Sequence, residues 1–196
     1  MDIPLTSFID FVLKSGSPKM TSAKKIKSQS EEDYNVATDY YKRFREAVQE
    51  LHKKDLQKAT LLKIVGPLPP NKVENYKKMA EGYKKFLGRK GVKWFKPSRE
   101  NWKQGNLNIA INPELGLEWD GKKYLVKLYL KAEKPSKDRL ASILALMNHT
   151  IVSTDCTFAV LDVRNSKIYT YENEMDLMMP LVEGEAKALE SILSQI

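Results

Sequence analysis

The chain predicts an α+β fold, with a mixed sheet of about five strands flanked by helices and an N-terminal helical region packed onto it. Three observations lead there. Short alternating apolar runs crowd residues 107–131 and return at 157–171, the period-two pattern of strands. Apolar residues recur at three- and four-residue steps on both sides of those runs, as amphipathic helices require. Hydrophobic residues form 42% of 196 positions, enough for one substantial core. The firmest internal break is Gly66-Pro67-Leu68-Pro69-Pro70. It separates a helical region, 1–66, from an α/β core, 71–196, within one compact unit.

The elements follow in order. Leu5, Phe8, Ile9, Val12 and Leu13 share a face, predicting a short helix over 5–14. Residues 16–30 are polar and basic with no acid, and predict a loop or mobile arm. Ser30 and Asp33 form a capping-box-like pair before a helix to about Lys53, whose stripe is Ala37, Tyr40, Tyr41, Phe44, Val48 and Leu51. A short apolar helix is expected over 56–65. Asn71 with Glu74 gives a second capping signal, opening a helix to about Leu87. Gly88-Arg89-Lys90-Gly91 then reads as its glycine C-cap.

Strands are expected at 92–95, 107–112, 115–119 and 122–131, the last two joined by an Asp120-Gly121 hairpin turn. A helix over 137–149 is apolar nearly all round, so it should be buried on more than one side. Residues 157–163 read as a central strand and 167–171 as its partner. A last amphipathic helix follows Pro180, with Ala186, Leu189, Ile192, Leu193 and Ile196 inward. Trp94, Trp102 and Trp119 read as packing residues.

Composition narrows the function. Cys156 is the only cysteine, so it forms no disulfide within the chain; it reads as a buried core residue in a reducing, cytoplasmic setting. The opening residues lack the basic leader of a signal peptide, and no run reaches the ~20 apolar residues of a membrane span. Net charge is +8, unevenly placed: residues 1–104 hold 23 Lys/Arg against 12 Asp/Glu, and residues 105–196 hold 10 against 13. Such a surface attracts polyanions. No GxxxxGK[ST] or GxGxxG motif occurs, and His52 and His149 stand far apart.

Lys127, Tyr129 and Lys131 fall on one side of the longest predicted strand, alternating basic and aromatic groups. With Lys77 and Lys84 of the preceding basic helix they form a candidate nucleic-acid surface. From residue 71 the order helix, strand, strand, strand, helix, strand resembles the core of the PD-(D/E)XK nuclease superfamily, the restriction-endonuclease-like fold. Pro113-Glu114 is followed, after fourteen residues, by Tyr129-Leu130-Lys131. The resemblance implies that Glu114 fills the first acid position and Lys131 the lysine position, as catalytic residues. It also implies that Glu74 or Glu81 supplies an extra acid, and that Glu114 and Glu74 hold Mg²⁺. Tyr129 stands where the family has an acid, and a phenol with pKa about 10 is a poor Mg²⁺ ligand. Either the metal site is rearranged or the fold persists without catalysis. The expected function is therefore a nucleic-acid-associated protein with a nuclease-like core, active or degenerate; the alternative is a non-enzymatic interaction or self-associating module.

Overall fold

The structure is a computed structural model that describes residues 1–31 and 39–196, the side chains of Glu31 and Ile64 excepted. Asp33 and Ala37, expected in a cap and helix, lie outside the described residues.

The central sheet is five-stranded and mixed. It comprises β2 (Lys93–Phe95), β5 (Leu115–Trp119), β6 (Lys122–Tyr129), β7 (Cys156–Asp162) and β8 (Lys167–Thr170), in the spatial order β2-β5-β6-β7-β8. Only the β6/β7 pair is parallel; the others are antiparallel. A parallel neighbour cannot be reached by a tight turn. The chain crosses over through α6 (Lys137–Thr150), capped by Ser136, whose hydroxyl accepts from the Arg139 N–H at 3.2 Å. Asp120 and Gly121 both have positive φ, 50° and 71°, as the expected two-residue hairpin demands.

The alternation along β6 and β7 divides the interior. Val126, Leu128 and Leu130, with Ala159, Leu161 and Val163, face α3 (Lys42–Lys53), α4 (Leu61–Val65) and α5 (Pro70–Leu87). Leu125 and Tyr129, with Phe158 and Val160, face α1 (Leu5–Val12), α6 and α7 (Met179–Leu193). Residues 1–66 thus contribute to both layers. The second of these layers also holds a small sheet, β1-β4-β3, from β1 (Asp2–Pro4), β3 (Glu100–Gln104) and β4 (Leu107–Ile111). Neither β1 nor β3 is expected from the sequence: β1 is three residues long, and β3 (ENWKQ) buries only Trp102.

Residues 16–30 correct the expected loop. They belong to α2 (Gly16–Glu31), a helix with a narrow buried stripe of Ser22, Ala23 and Ile26. Its Ala, Lys, Gln and Met residues are strong helix formers. Lys19 ties it to Glu185 of α7 at 2.6 Å, and Lys27 to the Ile196 carbonyl. Ser30 donates to the Lys27 carbonyl at 2.7 Å, near the end of this helix instead of opening the next. The Asn71 cap is also corrected: the cap position is Pro69, two residues earlier, with Pro70 in the first turn, where a missing N–H costs nothing, and there is no side-chain cap. Cys156 is partly buried at the start of β7, not in the core. Among the described residues no helix is long and apolar enough to cross a membrane.

Two contacts lock α5 in place. Its Gly82 lies so close to the β7–β8 turn that an added Cβ would stand 2.1 Å from the Val163 carbonyl oxygen. Ser166 donates to the Gly82 carbonyl at 2.8 Å. On the other side, His52 Nε2 of α3 and the Tyr83 hydroxyl are 2.5 Å apart. Burial pushes His52 down to about 4 and raises the Tyr83 phenol.

Two outcomes are expected. Gly82→Ala gains helix propensity of about 1 kcal/mol but drives a methyl into backbone, so urea unfolding should show a net loss of about 2–3 kcal/mol. A neutral or stabilised variant would contradict the packing. His52 binds its proton more weakly folded than unfolded, so its contribution is complete above about pH 6.5 and declines as pH falls toward about 4. Over that window stability should drop by about 3 kcal/mol more in the wild type than in His52→Gln.

Candidate functional site

The turn Asn112-Pro113-Glu114 carries the chain from the small sheet into β5. Register places Leu115 opposite Val126, so Glu114 meets the next stretch of β6. There its Oε1 accepts from Lys127 Nζ at 2.7 Å, and its Oε2 from the Leu128 N–H at 2.8 Å. Lys127 also donates to the Asn112 carbonyl at 3.0 Å, and Gln49 of α3 to the Glu114 carbonyl at 3.0 Å. The carboxylate stands in for a strand neighbour at Leu128, and both charged side chains are almost wholly covered.

The lysine that meets Glu114 is therefore Lys127, four residues before the one expected. Lys131 turns to α1 instead and donates to both oxygens of Asp10, at 2.7 and 2.9 Å. Arg139 of α6 shares that carboxylate at 2.7 Å. Burial of Asp10 opposes ionisation, but the hydrogen bonds from Lys131 and Arg139 outweigh it and hold the carboxyl below its ordinary range.

The expected open face of Lys127, Tyr129 and Lys131 is corrected by burial. Lys127 is 8% exposed and Tyr129 6%, while Lys131 is only partly exposed on Asp10. Tyr129 packs in the core that includes α1 and α6. Its hydroxyl has no hydrogen-bond partner, and burial pushes its pKa up to about 12. A strand flanked by β5 and β7 is covered on both faces here, so alternation did not mean that one side was wet. Lys77 and Lys84 are exposed on the outer face of α5, as is Glu81.

Glu74 is exposed on the same helix and pairs with Lys78 at 3.5 Å. Glu114 has both oxygens committed to Lys127 and Leu128. Among the described residues no three His, Cys, Asp or Glu side chains gather as a cation would need. The residues implied for Mg²⁺ thus do not fit one in this arrangement.

Beside Glu114 lies an open cleft of about 720 Å³. One wall is Gln49 and Lys53 of α3. The other is Trp94 of β2 and the segment Lys96-Pro97-Ser98-Arg99-Glu100, with Glu114 completing the lining. Lys53 Nζ sits 5.7 Å from the centre of the Trp94 ring, over its face. The indole nitrogen is buried without a hydrogen-bond partner. Lys53, Lys96 and Arg99 face Glu100 and a Glu114 already neutralised by Lys127, so the cleft is net positive. Trp94 packs in part against the α3–α5 core, as expected, and lines the cleft as well; the grouping of Lys53, Lys96 and Arg99 around it is not expected from the sequence. The usable signal was Lys93-Trp94-Phe95-Lys96-Pro97-Ser98-Arg99, where cations interleave with rings. No protein-family model and no curated protein matches the chain.

Glu114→Gln and Lys127→Met should each cost about 3 kcal/mol, because each strands a covered group without its counter-charge. The double variant should lose clearly less than the sum, by at least about 1 kcal/mol, in urea unfolding. Strict additivity would mean that the pair is not coupled.

Proposed function

We propose that the protein binds nucleic acid through the cleft at the Pro113–Glu114 end of its sheet, on a nuclease-like core. The observation that carries this reading is the convergence of Lys53, Lys96 and Arg99 on one cleft beside an aromatic ring. Cations spaced along a groove match a phosphate backbone, and rings match bases. Among the elements of the central sheet and its helices, the order α5, β2, β5, β6, α6, β7, with its one parallel step, supports the comparison with the PD-(D/E)XK core. So does the place of the cleft, at the turn where that comparison puts the first acid. The exposed Lys77, Lys84 and Lys85 side of α5 adds positive charge to the same half of the chain. The reading is one of binding, since Glu114 is engaged as a structural partner of Lys127 and Leu128.

A second reading is an interaction or self-associating module. It is favoured by two strongly exposed apolar side chains, Val152 at 95% and Leu177 at 81%, the latter directly after the acids Glu172, Glu174 and Asp176.

The two separate by fluorescence anisotropy with labelled single- and double-stranded DNA and RNA, with Mg²⁺ and with chelator, followed by a cleavage gel. Three phosphate contacts predict roughly 20- to 40-fold weaker binding between about 50 and about 200 mM salt. Lys96→Glu with Arg99→Glu should abolish most of it. Salt-independent or absent binding, with a defined oligomer in sedimentation, would turn the assignment to the second reading. Cleavage by the wild type with Mg²⁺ and not with chelator would make the protein a nuclease.

A further inference from the structure

Trp94 occupies an unusual place for a tryptophan among packing residues. Trp102 and Trp119 are buried, whereas Trp94, on the edge strand β2 that pairs with β5, is only partly buried against the α3–α5 core and also lines the cleft. Over its ring stands the exposed Lys53 ammonium. A cation over a ring at an exposed site is weakly held and easily exchanged. Lys96 and Arg99 stand two and five residues beyond the ring, both exposed, on a segment shaped by the buried Pro97. The ring is thus bracketed by a cation from α3 and two from the loop.

We propose that this cleft takes a single strand, one base stacking on Trp94 while the flanking phosphates engage Lys53, Lys96 and Arg99. The proposal rests on the nucleic-acid reading above and names the form of the ligand. At about 720 Å³ and open to solvent, the cleft has room for a nucleotide whose chain continues out on either side. A duplex presents phosphates and base edges outward and hides the faces of its bases, so it offers Trp94 nothing to stack on. In a single strand every base has a free face, and stacking is indifferent to which base it is. When the base arrives, Lys53 leaves the ring for a phosphate, exchanging a weak contact for a charge-assisted one.

The test compares a short labelled oligothymidylate with a duplex of equal length, using the full chain at low salt and four proteins: wild type, Trp94→Leu, Trp94→Phe, and Lys96→Glu with Arg99→Glu. Circular dichroism and urea unfolding confirm that each is folded. The single strand should bind the wild type at least about tenfold more tightly than the duplex. Trp94→Leu should lose about tenfold in single-strand affinity and nothing in duplex affinity, and Trp94→Phe should recover most of the loss. If Trp94→Leu does not fold, Trp94→Phe and quenching of tryptophan emission by unlabelled strand give the answer: quenching seen in the wild type should shrink in Trp94→Phe. Binding of both forms that depends on Lys96 and Arg99 but not on Trp94 would overturn the single-strand inference and leave the nucleic-acid reading standing. No binding of either form would overturn both.

Discussion

The parallel pairing of β6 with β7 is the constraint on which the rest of the structure depends. Seven registered pairs, from Lys123–Cys156 to Tyr129–Asp162, put two strands side by side in the same direction. Their connection must then pass over the sheet, and α6 does so with Leu140, Ile143, Leu144, Ala145, Leu146 and Met147 buried. Both strands become interior, and each of their faces needs its own cover. One face receives α3, α4 and α5. The other receives α6, α1, α7 and the small sheet.

Interior strands end somewhere, and at those ends the polar groups are handled one by one. At one end Glu114 neutralises Lys127 and satisfies the Leu128 N–H. Past the end of β6, Asp10 gathers Lys131 and Arg139. At the end of β7 the buried Asp162 accepts from the backbone N–H and the side-chain amide of Asn165, closing the turn into β8. Three carboxylates thus finish the sheet. The same use withdraws Glu114 from other chemistry and leaves the neighbouring cleft to its cations and its ring.

The α+β class, the Asp120-Gly121 hairpin and the all-round burial of α6 were legible because each rests on a local signal: periodicity, a turn dipeptide, an apolar helix. α2 was not, because two signals disagreed there. Its composition favours helix, but its buried stripe is only Ser22, Ala23 and Ile26, too narrow to register as a period. β1 and β3 owe their existence to pairing with β4, a long-range fact with no local trace. At the site, the sequence pattern marks Glu114 as a catalytic acid and Mg²⁺ ligand, whereas the fold commits both of its oxygens to Lys127 and the Leu128 N–H. The partner of Glu114 was misjudged because Lys127 and Lys131 share a strand face, and only the register and the docking of α1 decide which one meets Glu114 and which meets Asp10. The cleft needed three separate segments to converge, and no spacing rule links Lys53 to Arg99.

The two helical layers differ in charge as well as in sequence. Helices α3, α4 and α5 hold 10 Lys/Arg and 4 Asp/Glu, while α1, α2, α6 and α7 on the other face hold 7 and 6, so the positive charge is weighted to the α3–α5 side. Separated by the thickness of the sheet, these form a transverse electric dipole. A polyanion's field exerts a torque on such a body, so the molecule turns before it touches. For the nucleic acid proposed as ligand, such steering would present the α3 side first and raise the rate of encounter at low ionic strength.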